Sequence, residues 1–156
     1  MSDVAEPMPW ERTDWTGQEF RQWNAGIVDE FRANAGKVGG AYDGADLLLL
    51  TTTGARTGNR HTVPLAYQTE RGRLIVSSLA DTAYPAWYHN LKANPTVTVE
   101  LGTLTFEATA TAVTAGAERE HLWEWVLREW ALLAEHQQTT QLQVPLVVLE
   151  RRPAAR

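Results

Sequence analysis

The fold is decided by two stretches of sequence, 61–78 and 96–113, which read HTVPLAYQTERGRLIVSS and TVTVELGTLTFEATATAV. In each stretch, runs rich in apolar and β-branched residues flank a short turn, Arg71-Gly72 in the first and Gly102-Thr103 in the second. Such a pattern is typical of a β-hairpin. It predicts the strands His61–Glu70, Arg73–Ser78, Thr96–Leu101 and Leu104–Val113. Pro64 within the first of them indicates an edge strand or a bulge.

Further elements are predicted before, between and after the two hairpins. Apolar runs predict two more strands, Leu47–Thr53 and Pro145–Arg151. Apolar residues at helical spacing predict a helix over Gly17–Asn34, begun by the capping box Thr16-Gly17-Gln18-Glu19 and ended near Gly36. A short helix is predicted over Pro85–Ala93 and a long one over Glu118–Gln138, whereas the glycine-rich Lys37–Asp46 is a loop.

This order of elements predicts one mainly β domain with accessory helices. Nothing repeats as strand, helix, strand, so a doubly wound nucleotide-binding fold is not expected. Six antiparallel strands in a chain of 156 residues must close or nearly close to protect their edges, which predicts a small barrel with helices packed outside. We expect residues 1–156 to form a single domain, with 1–16 as a flexible N-terminal segment.

Composition and charge exclude several classes of protein. The net charge of -5 argues against a nucleic-acid partner, because a phosphate backbone needs a basic field. The longest apolar run, Leu47–Leu50, is far shorter than the ~20 residues of a membrane-spanning helix. The acidic N-terminus is not expected to act as a signal peptide, and the absence of cysteine fits a reducing cytoplasm. The four histidines show no spacing typical of metal ligands, so no metal is expected.

The turn between the first two strands is a candidate anion site. Residues 51–64 read TTTGARTGNRHTVP, in which Arg56, Arg60 and His61 concentrate positive charge beside Gly54 and Gly58. The glycines would free backbone amides to point outward, and such amides beside arginines can hold a phosphate or carboxylate. A plain surface turn with solvated arginines is the alternative, and the spacing alone favours it.

The predicted short helix carries a second notable motif. Residues 84–95 read YPAWYHNLKANP, in which Trp87, Tyr88 and Leu91 share one face at helical spacing. By itself this pattern indicates core packing, with the polar residues of the helix in solvent.

Taken in order, these motifs resemble the deazaflavin (coenzyme F420)-dependent nitroreductase family over roughly residues 47–150. The resemblance rests on Gly-x-Arg-Thr-Gly, on Pro-Leu in the next strand, on Trp-Tyr-x-Asn-Leu-x-Ala-Asn-Pro and on a late Val-Pro-Leu-Val-Val-Leu strand. It implies a split β-barrel like that of FMN-binding proteins, and a hydride passed from reduced F420 to an electron-poor enone, quinone, imine or nitroaromatic ring. An FMN- or haem-binding barrel and a cofactor-free protein are the alternatives.

The resemblance also implies site residues. The coenzyme's phosphate and acidic tail would lie at the turn and its ring near the third strand and the short helix, which implies contacts from Arg56, Thr57, Gly58, Arg60, His61, Pro64, Ser77, Ser78, Trp87, Tyr88 and Asn90. The substrate pocket would be covered by the N-terminal segment and the helix before the last strand, which implies Trp15, Phe20, Trp23, Trp130, Leu133 and His136.

Departures from the family pattern bear on the substrate. The loop 77–84 lacks the family's Gly-Gly pair, so close approach of the backbone to the ring is in doubt. Trp130, Leu133 and His136 stand where nitroimidazole-reducing members are rich in tyrosine, which favours a different substrate. The candidate proton donors are His136, Ser77, Tyr88 and Tyr67, and a homodimer is a further expectation.

Overall fold

In a computed structural model, which describes residues 17–42, 44–80 and 82–153, the chain forms one antiparallel sheet with helices against it. The strands are β1 (Leu47–Thr53), β2 (Arg60–Ala66), β3 (Gln68–Glu70), β4 (Arg73–Ser77), β5 (Thr96–Leu101), β6 (Leu104–Ala112) and β7 (Leu146–Arg151). Their order in the sheet is β2-β1-β5-β6-β7-β4-β3. Both predicted hairpin turns are confirmed, since β3 pairs with β4 and β5 with β6.

The predicted strand His61–Glu70 is wrong in one respect, because it is divided at Tyr67. Its first part, β2, pairs with β1 along one edge of the sheet, and its second part, β3, pairs with β4 along the other edge. The sheet therefore has seven strands rather than six. Since Tyr67 alone separates the two edge strands, the sheet must curl to bring its edges together. Pro64 lies in the edge strand β2, as predicted, where its missing N–H breaks no ladder.

The inside of the curled sheet holds the main core. Alternate residues of five strands point inward, as strand geometry requires, and pack with one face of the helix α2 (Ala86–Ala93). The strand residues of this cluster are Leu48, Leu50, Leu74, Val76, Val97, Val99, Ala108, Ala110, Val147 and Leu149. Trp87, Tyr88 and Leu91 of α2 complete it, which confirms the core face predicted for this helix.

The first helix, α1, covers the outer face of β1. It runs over Gly17–Ala33, one residue short of the prediction, and buries Val28 and Phe31 against Leu47 and Leu49. Arg32 pairs with Glu100 of β5 at 2.8 Å. Thr16 of the predicted capping box, Trp15 and the segment 1–16 lie outside the described residues.

The predicted long helix Glu118–Gln138 is wrong, because the chain there forms two helices. These are α3 (Gly116–Leu127) and α4 (Leu132–Thr139), which pack on the outer face of β4 and β7. At the end of α3 the carbonyl of Val126 accepts a hydrogen bond from Gln68 Nε2 of β3 at 2.9 Å. The periodicity of apolar residues continues through the break, so it could not reveal this tertiary contact or the end of α3.

A buried ion cluster ties α3 to the β3–β4 hairpin. Glu70, 3% exposed, accepts hydrogen bonds from Arg73 Nη2 at 2.5 Å and from His121 Nε2 at 2.8 Å. Arg73 also pairs with Glu118 of α3 at 2.8 Å. Burial raises the pKa of the Glu70 carboxyl, but the hydrogen bonds from Arg73 and His121 outweigh it, so the pKa lies below its usual value.

Within the described ranges, no helix is both long and apolar enough to cross a membrane.

Candidate functional site

Most of the predicted site residues lie at one end of the sheet, here called the upper end. Because the strands are antiparallel, β1, β4 and β6 finish there, where β2, β5 and β7 begin. The connections at this end are the turn 54–59, the loop 78–85 with α2, and the segment that contains α3 and α4. Residues distant in sequence therefore meet at the upper end.

The turn 54–59 is closed by its own hydrogen bonds. The amide of Gly54 donates to the Asn59 carbonyl at 2.7 Å, and that of Gly58 donates to the Gly54 carbonyl at 3.0 Å. The prediction that these two amides point outward is therefore wrong, since both are used to close the turn. The glycines serve its shape instead. Gly58 has a φ of +73°, and a Cβ at Gly54 would lie 2.9 Å from Thr57 Oγ1.

Asn90 of α2 fixes the turn from below. Its side-chain oxygen accepts a hydrogen bond from the Ala55 amide at 3.0 Å, and its Nδ2 donates to Thr52 Oγ1 at 3.1 Å. Asn90 is buried, so its bond to Thr52 is shielded from water and its bond to Ala55 is partly shielded. Its amide group is thus occupied within the protein, and Asn90 holds the turn in place rather than facing an open site.

The basic residues of the turn are exposed, but they do not form one cluster. Successive residues of a strand point to opposite faces, and Arg60 and His61 do so. Arg60 Nη2 donates to Thr98 Oγ1 at 2.7 Å on the outer face, whereas a Cβ at Gly54 would lie 3.3 Å from His61 Nε2. Arg56 projects from the exposed tip. Neither arginine has a carboxylate partner among the residues that the structure describes.

The loop after β4 is fastened to the last helix and strand. Ser77 Oγ donates to the Pro145 carbonyl at 2.5 Å, and His136 Nε2 lies 2.6 Å from the Ala80 carbonyl. Because a carbonyl only accepts hydrogen bonds, the proton of a neutral His136 is on Nε2. Ser77 and His136, two of the predicted proton donors, thus hold the loop in place. Ser78, the next residue of the loop, is half-buried.

The two aromatic residues predicted beside the coenzyme are buried. Trp87 packs in the main core, and Tyr88 stacks on Tyr84 with ring centroids 4.6 Å apart. Burial, followed by the neighbouring Tyr84, raises the pKa of the Tyr88 phenol, although Arg119 opposes the shift. Tyr88 is therefore a neutral hydroxyl at physiological pH. The hydroxyl of Tyr84 donates to the Gln143 carbonyl at 2.9 Å.

The residues predicted to cover a substrate do not come together. Phe20 and Trp23 lie on α1, which packs against β1, whereas Trp130, Leu133 and His136 belong to the segment that covers β4 and β7. Leu133 is buried in that second apolar cluster and so has a packing role. Trp130 is half-buried at its margin. Trp15 lies outside the described residues.

A cleft of about 420 Å³ lies where the chain crosses between the sheet edges. It is lined by Asp46, Tyr67, Gln68, Thr69, Trp125, Arg128 and Glu129. Burial, and next the charge of Asp46, raises the pKa of the Tyr67 phenol. Apart from Tyr67, sequence reasoning missed these residues. The sequence showed no sign of them, because the apolar pattern runs continuously through Tyr67 and so did not show that the strand divides there.

Comparisons with known proteins agree with this arrangement. The model of the family described as F420H(2)-dependent quinone reductase matches residues 23–151. An F420H(2)-dependent quinone reductase of Mycobacterium tuberculosis is 36% identical over 127 residues, which cover 78% of this chain and 85% of the relative.

Solved structures give the same result. A chain of the F420-H2-dependent reductase FDR-A has a TM-score of 0.59 and 35% identity, covering 67% of this chain and 94% of its own. A second solved structure, a domain-swapped dimer, has a TM-score of 0.61 and 30% identity, and the match covers 83% of this chain and 98% of the matched chain. The matched region includes the turn, α2 and the last strand, on which the resemblance to F420-dependent enzymes rested. The chain thus belongs to the F420H(2)-dependent quinone reductase family, as an oxidoreductase whose coenzyme is F420.

Proposed function

We propose that this protein reduces a quinone with reduced F420, and that it binds the coenzyme's phosphate and acidic tail at the turn 54–61. The observation that carries the proposal is the turn that Asn90 anchors from within, with Arg56 exposed at its tip and with Arg60 and His61 exposed on opposite faces of the strand that follows. Bound F420 would supply the two electrons as a hydride.

The charges of the turn fit an anionic ligand. Elsewhere in the described structure, Arg32, Arg71 and Arg73 each pair with a glutamate. Among the described residues, Arg56 and Arg60 are two of several arginines without a carboxylate partner, and they are the two that stand on or beside the turn. Exposed guanidinium groups without a carboxylate partner can donate charge-assisted hydrogen bonds to phosphate and carboxylate ligands. Arg56, Arg60, His61 and the Thr57 hydroxyl are the groups we assign to the coenzyme tail, with Arg60 and His61 contacting different parts of it from opposite faces of β2 and with Gly58 and Pro64 shaping the turn and the strand wall.

The curled sheet offers a place for the rest of the coenzyme. β2 lies close to β4, yet the two strands occupy separate positions in the sheet and share no ladder. An opening of this kind is what the split β-barrel predicted from the sequence requires. We assign the ring to this opening, with Ser77 and Ser78 at its rim and the buried Trp87 beneath.

We assign the acceptor to the cleft at the far end of β2 from the turn. The cleft beside Tyr67 and Trp125 is continuous along the chain with β2 and β3, the two strands that border the opening. Tyr67 and Trp125 give the cleft two half-buried aromatic walls against which a planar molecule such as a quinone can lie, and polar residues, most of them exposed, form the rest of its lining. Trp130 adds an aromatic surface nearby in α3–α4, and His136 positions the rim through its hydrogen bond to the Ala80 carbonyl. Quinone reduction also agrees with the family's name and with the missing tyrosine-rich pattern.

A homodimer and a cytoplasmic location complete the proposal. A homologous chain solved as a domain-swapped dimer supports the first, and the absence of cysteine from the sequence supports the second.

Replacing Arg56 by alanine tests the coenzyme site. We expect F420 to bind more weakly by about tenfold to a hundredfold, because a charge-assisted hydrogen bond is lost. A coenzyme precursor without phosphate and tail should lose little affinity. Fluorescence titration measures both, with Arg32→Ala as the matched control on α1. Equal losses for the two ligands would mean that Arg56 acts through folding instead.

A further inference from the structure

The outer face of β5 binds three arginine side chains that come from distant parts of the chain. Residues that point outward alternate along a strand, and in β5 they are Thr96, Thr98 and Glu100, because Val97 and Val99 point into the main core. Each of the three outward side chains accepts a hydrogen bond from one arginine. These arginines are, in the same order, Arg152, Arg60 and Arg32. Positive charge is therefore concentrated on this face of a protein whose net charge is -5.

The three arginines differ in what neutralises them. Arg32 pairs with the Glu100 carboxylate at 2.8 Å. Arg60 and Arg152 donate instead to the hydroxyls of their threonine partners, at 2.7 Å and 2.9 Å, and these hydroxyls carry no charge. Within the described part of the chain, neither arginine lies within ion-pair distance of a carboxylate. Both are exposed, and each guanidinium has five N–H donors, so both keep donors for an anionic ligand.

Arg60 and Arg152 reach β5 from opposite sides. Arg60 stands opposite Thr53 of β1, the strand that borders β5 on one side. Arg152 follows β7, and its amide donates at 2.8 Å to the Glu107 carbonyl of β6, the strand that borders β5 on the other side. Two residues along a strand span about 7 Å, so the two hydroxyls that hold the guanidinium groups lie about that far apart. This spacing suits a flexible chain with several carboxylates rather than one small anion.

The turn 54–59 leads directly onto this face. Arg56 projects from its exposed tip, and Arg60 begins β2 directly after it. Arg60 points to the outer face of the sheet, where β5 presents its threonines. A ligand that is held by Arg56 and extends over the outer face would therefore meet Arg60 first and Arg152 next.

We propose that Arg60 and Arg152 form a carboxylate-binding subsite on the outer face of β5, which holds the acidic tail of F420 beyond its phosphate. The proposal rests on the proposed function, from which the position of the phosphate at the turn is taken. Each guanidinium would donate charge-assisted hydrogen bonds to one carboxylate of the tail. The threonine hydroxyls already orient both guanidinium groups, which lowers the cost of ordering them when the ligand binds. Arg152 lies outside the residues 23–151 that the family model matches, so the subsite adds to the features on which family membership rests.

One carboxylate on the same face should oppose the acidic tail. Glu107 is opposite Thr98 in the β5–β6 ladder, so its exposed side chain points outward with that of Thr98. It lies beyond ion-pair distance of Arg60 and Arg152, so it does not neutralise them. Replacing Glu107 by glutamine removes a negative charge beside the subsite. We expect this change to strengthen F420 binding by about twofold, as Coulomb's law predicts for charges that lie several ångströms apart in water.

Two forms of the coenzyme test the subsite. Complete F420 and a fragment that keeps the phosphate but lacks the acidic tail are titrated by fluorescence. The parent should bind complete F420 more tightly than the fragment. Arg152→Met should weaken F420 binding by about threefold to tenfold and leave the affinity for the fragment unchanged, because only the tail reaches Arg152. Arg152→Lys should recover part of the loss, and added salt should reduce the difference between the two forms.

Matched controls separate the subsite from the general charge of the protein. Arg32→Met removes the arginine of the same face that Glu100 neutralises. Arg151→Met removes the neighbour of Arg152, whose guanidinium lies 4.8 Å from the centroid of the Phe106 ring. Both variants should bind the two forms of the coenzyme as the parent does. Circular dichroism checks that each variant folds. Equal affinity of the parent for the two forms, or an equal loss for both in Arg152→Met, would overturn the subsite.

A probe without the coenzyme distinguishes this proposal from the proposed function. Tri-glutamate added to isotope-labelled protein should shift the amide NMR signals of Thr96 and Thr98 in the parent, and much less in Arg152→Met. When F420 binds, the titrations of its two forms decide, and a tail without effect removes the subsite but leaves the proposed function. When F420 does not bind, the proposed function fails and tri-glutamate decides. Shifts that depend on Arg152 would then support a carboxylate site, and their absence would overturn it.

Discussion

Replacing Trp87 by alanine is expected to destabilise the protein by roughly 3–5 kcal/mol, the range for removing a buried aromatic side chain. Trp87 lies on α2 inside the curled sheet, where residues of β1, β4, β5, β6 and β7 enclose it. Urea unfolding followed by circular dichroism measures the change as a shift of the midpoint at constant slope.

The control for Trp87 is Leu132→Ala, at a 47% exposed position in α4, which should change stability by no more than about 0.5 kcal/mol. Because α2 also carries Asn90, which anchors the turn, the Trp87 variant should bind F420 more weakly than the Leu132 variant. A stable Trp87 variant would contradict the position of α2 inside the sheet.

Replacing Glu70 by glutamine is expected to cost roughly 3 kcal/mol, the lower end of the range for breaking a buried ion pair. The substitution removes the charge that Arg73 and His121 share, although Arg73 keeps Glu118 as a partner. The β3–β4 hairpin would then be held less firmly to α3. The matched control is Glu124→Gln, at an exposed position in α3, which should leave the free energy of unfolding nearly unchanged.

The effect of Glu70 should depend on pH with a definite sign. Its pKa is lowered in the folded protein, so its contribution to stability is complete above the unfolded value of about 4.3 and is lost as pH falls through the folded value. The difference in unfolding free energy between parent and Glu70→Gln should therefore be largest near neutral pH and shrink in acid. A constant difference from pH 7 to pH 3 would show that Glu70 does not stabilise the fold as an ionised group.

The parts of the fold that local sequence controls could be predicted. Turn residues such as Arg71-Gly72 and helical spacing such as that of Trp87 and Leu91 act over a few positions, and the structure has these elements where expected. The relation to F420-dependent enzymes could also be predicted from the sequence, because Trp-Tyr-x-Asn-Leu-x-Ala-Asn-Pro is a specific motif.

Features that depend on tertiary contacts could not be predicted. The strand division at Tyr67 follows from closure of the sheet, and the break between α3 and α4 accompanies a hydrogen bond from Gln68. Arg60 and His61 are adjacent in sequence, yet strand geometry sends them to opposite faces.

The burial of single polar side chains could not be predicted from the sequence either. Asn90 belongs to a family motif, but only the structure assigns its amide to Ala55 and Thr52.

Equilibrium binding of F420 compared with FMN tests the central claim most directly. The exposed arginines of the turn and the family membership predict that F420 binds the purified protein far more tightly than FMN, and that its reduced form is oxidised when a quinone is added. Arg56→Ala should weaken the F420 complex while leaving the weak FMN complex little changed. Tight binding of FMN without binding of F420 would contradict the account.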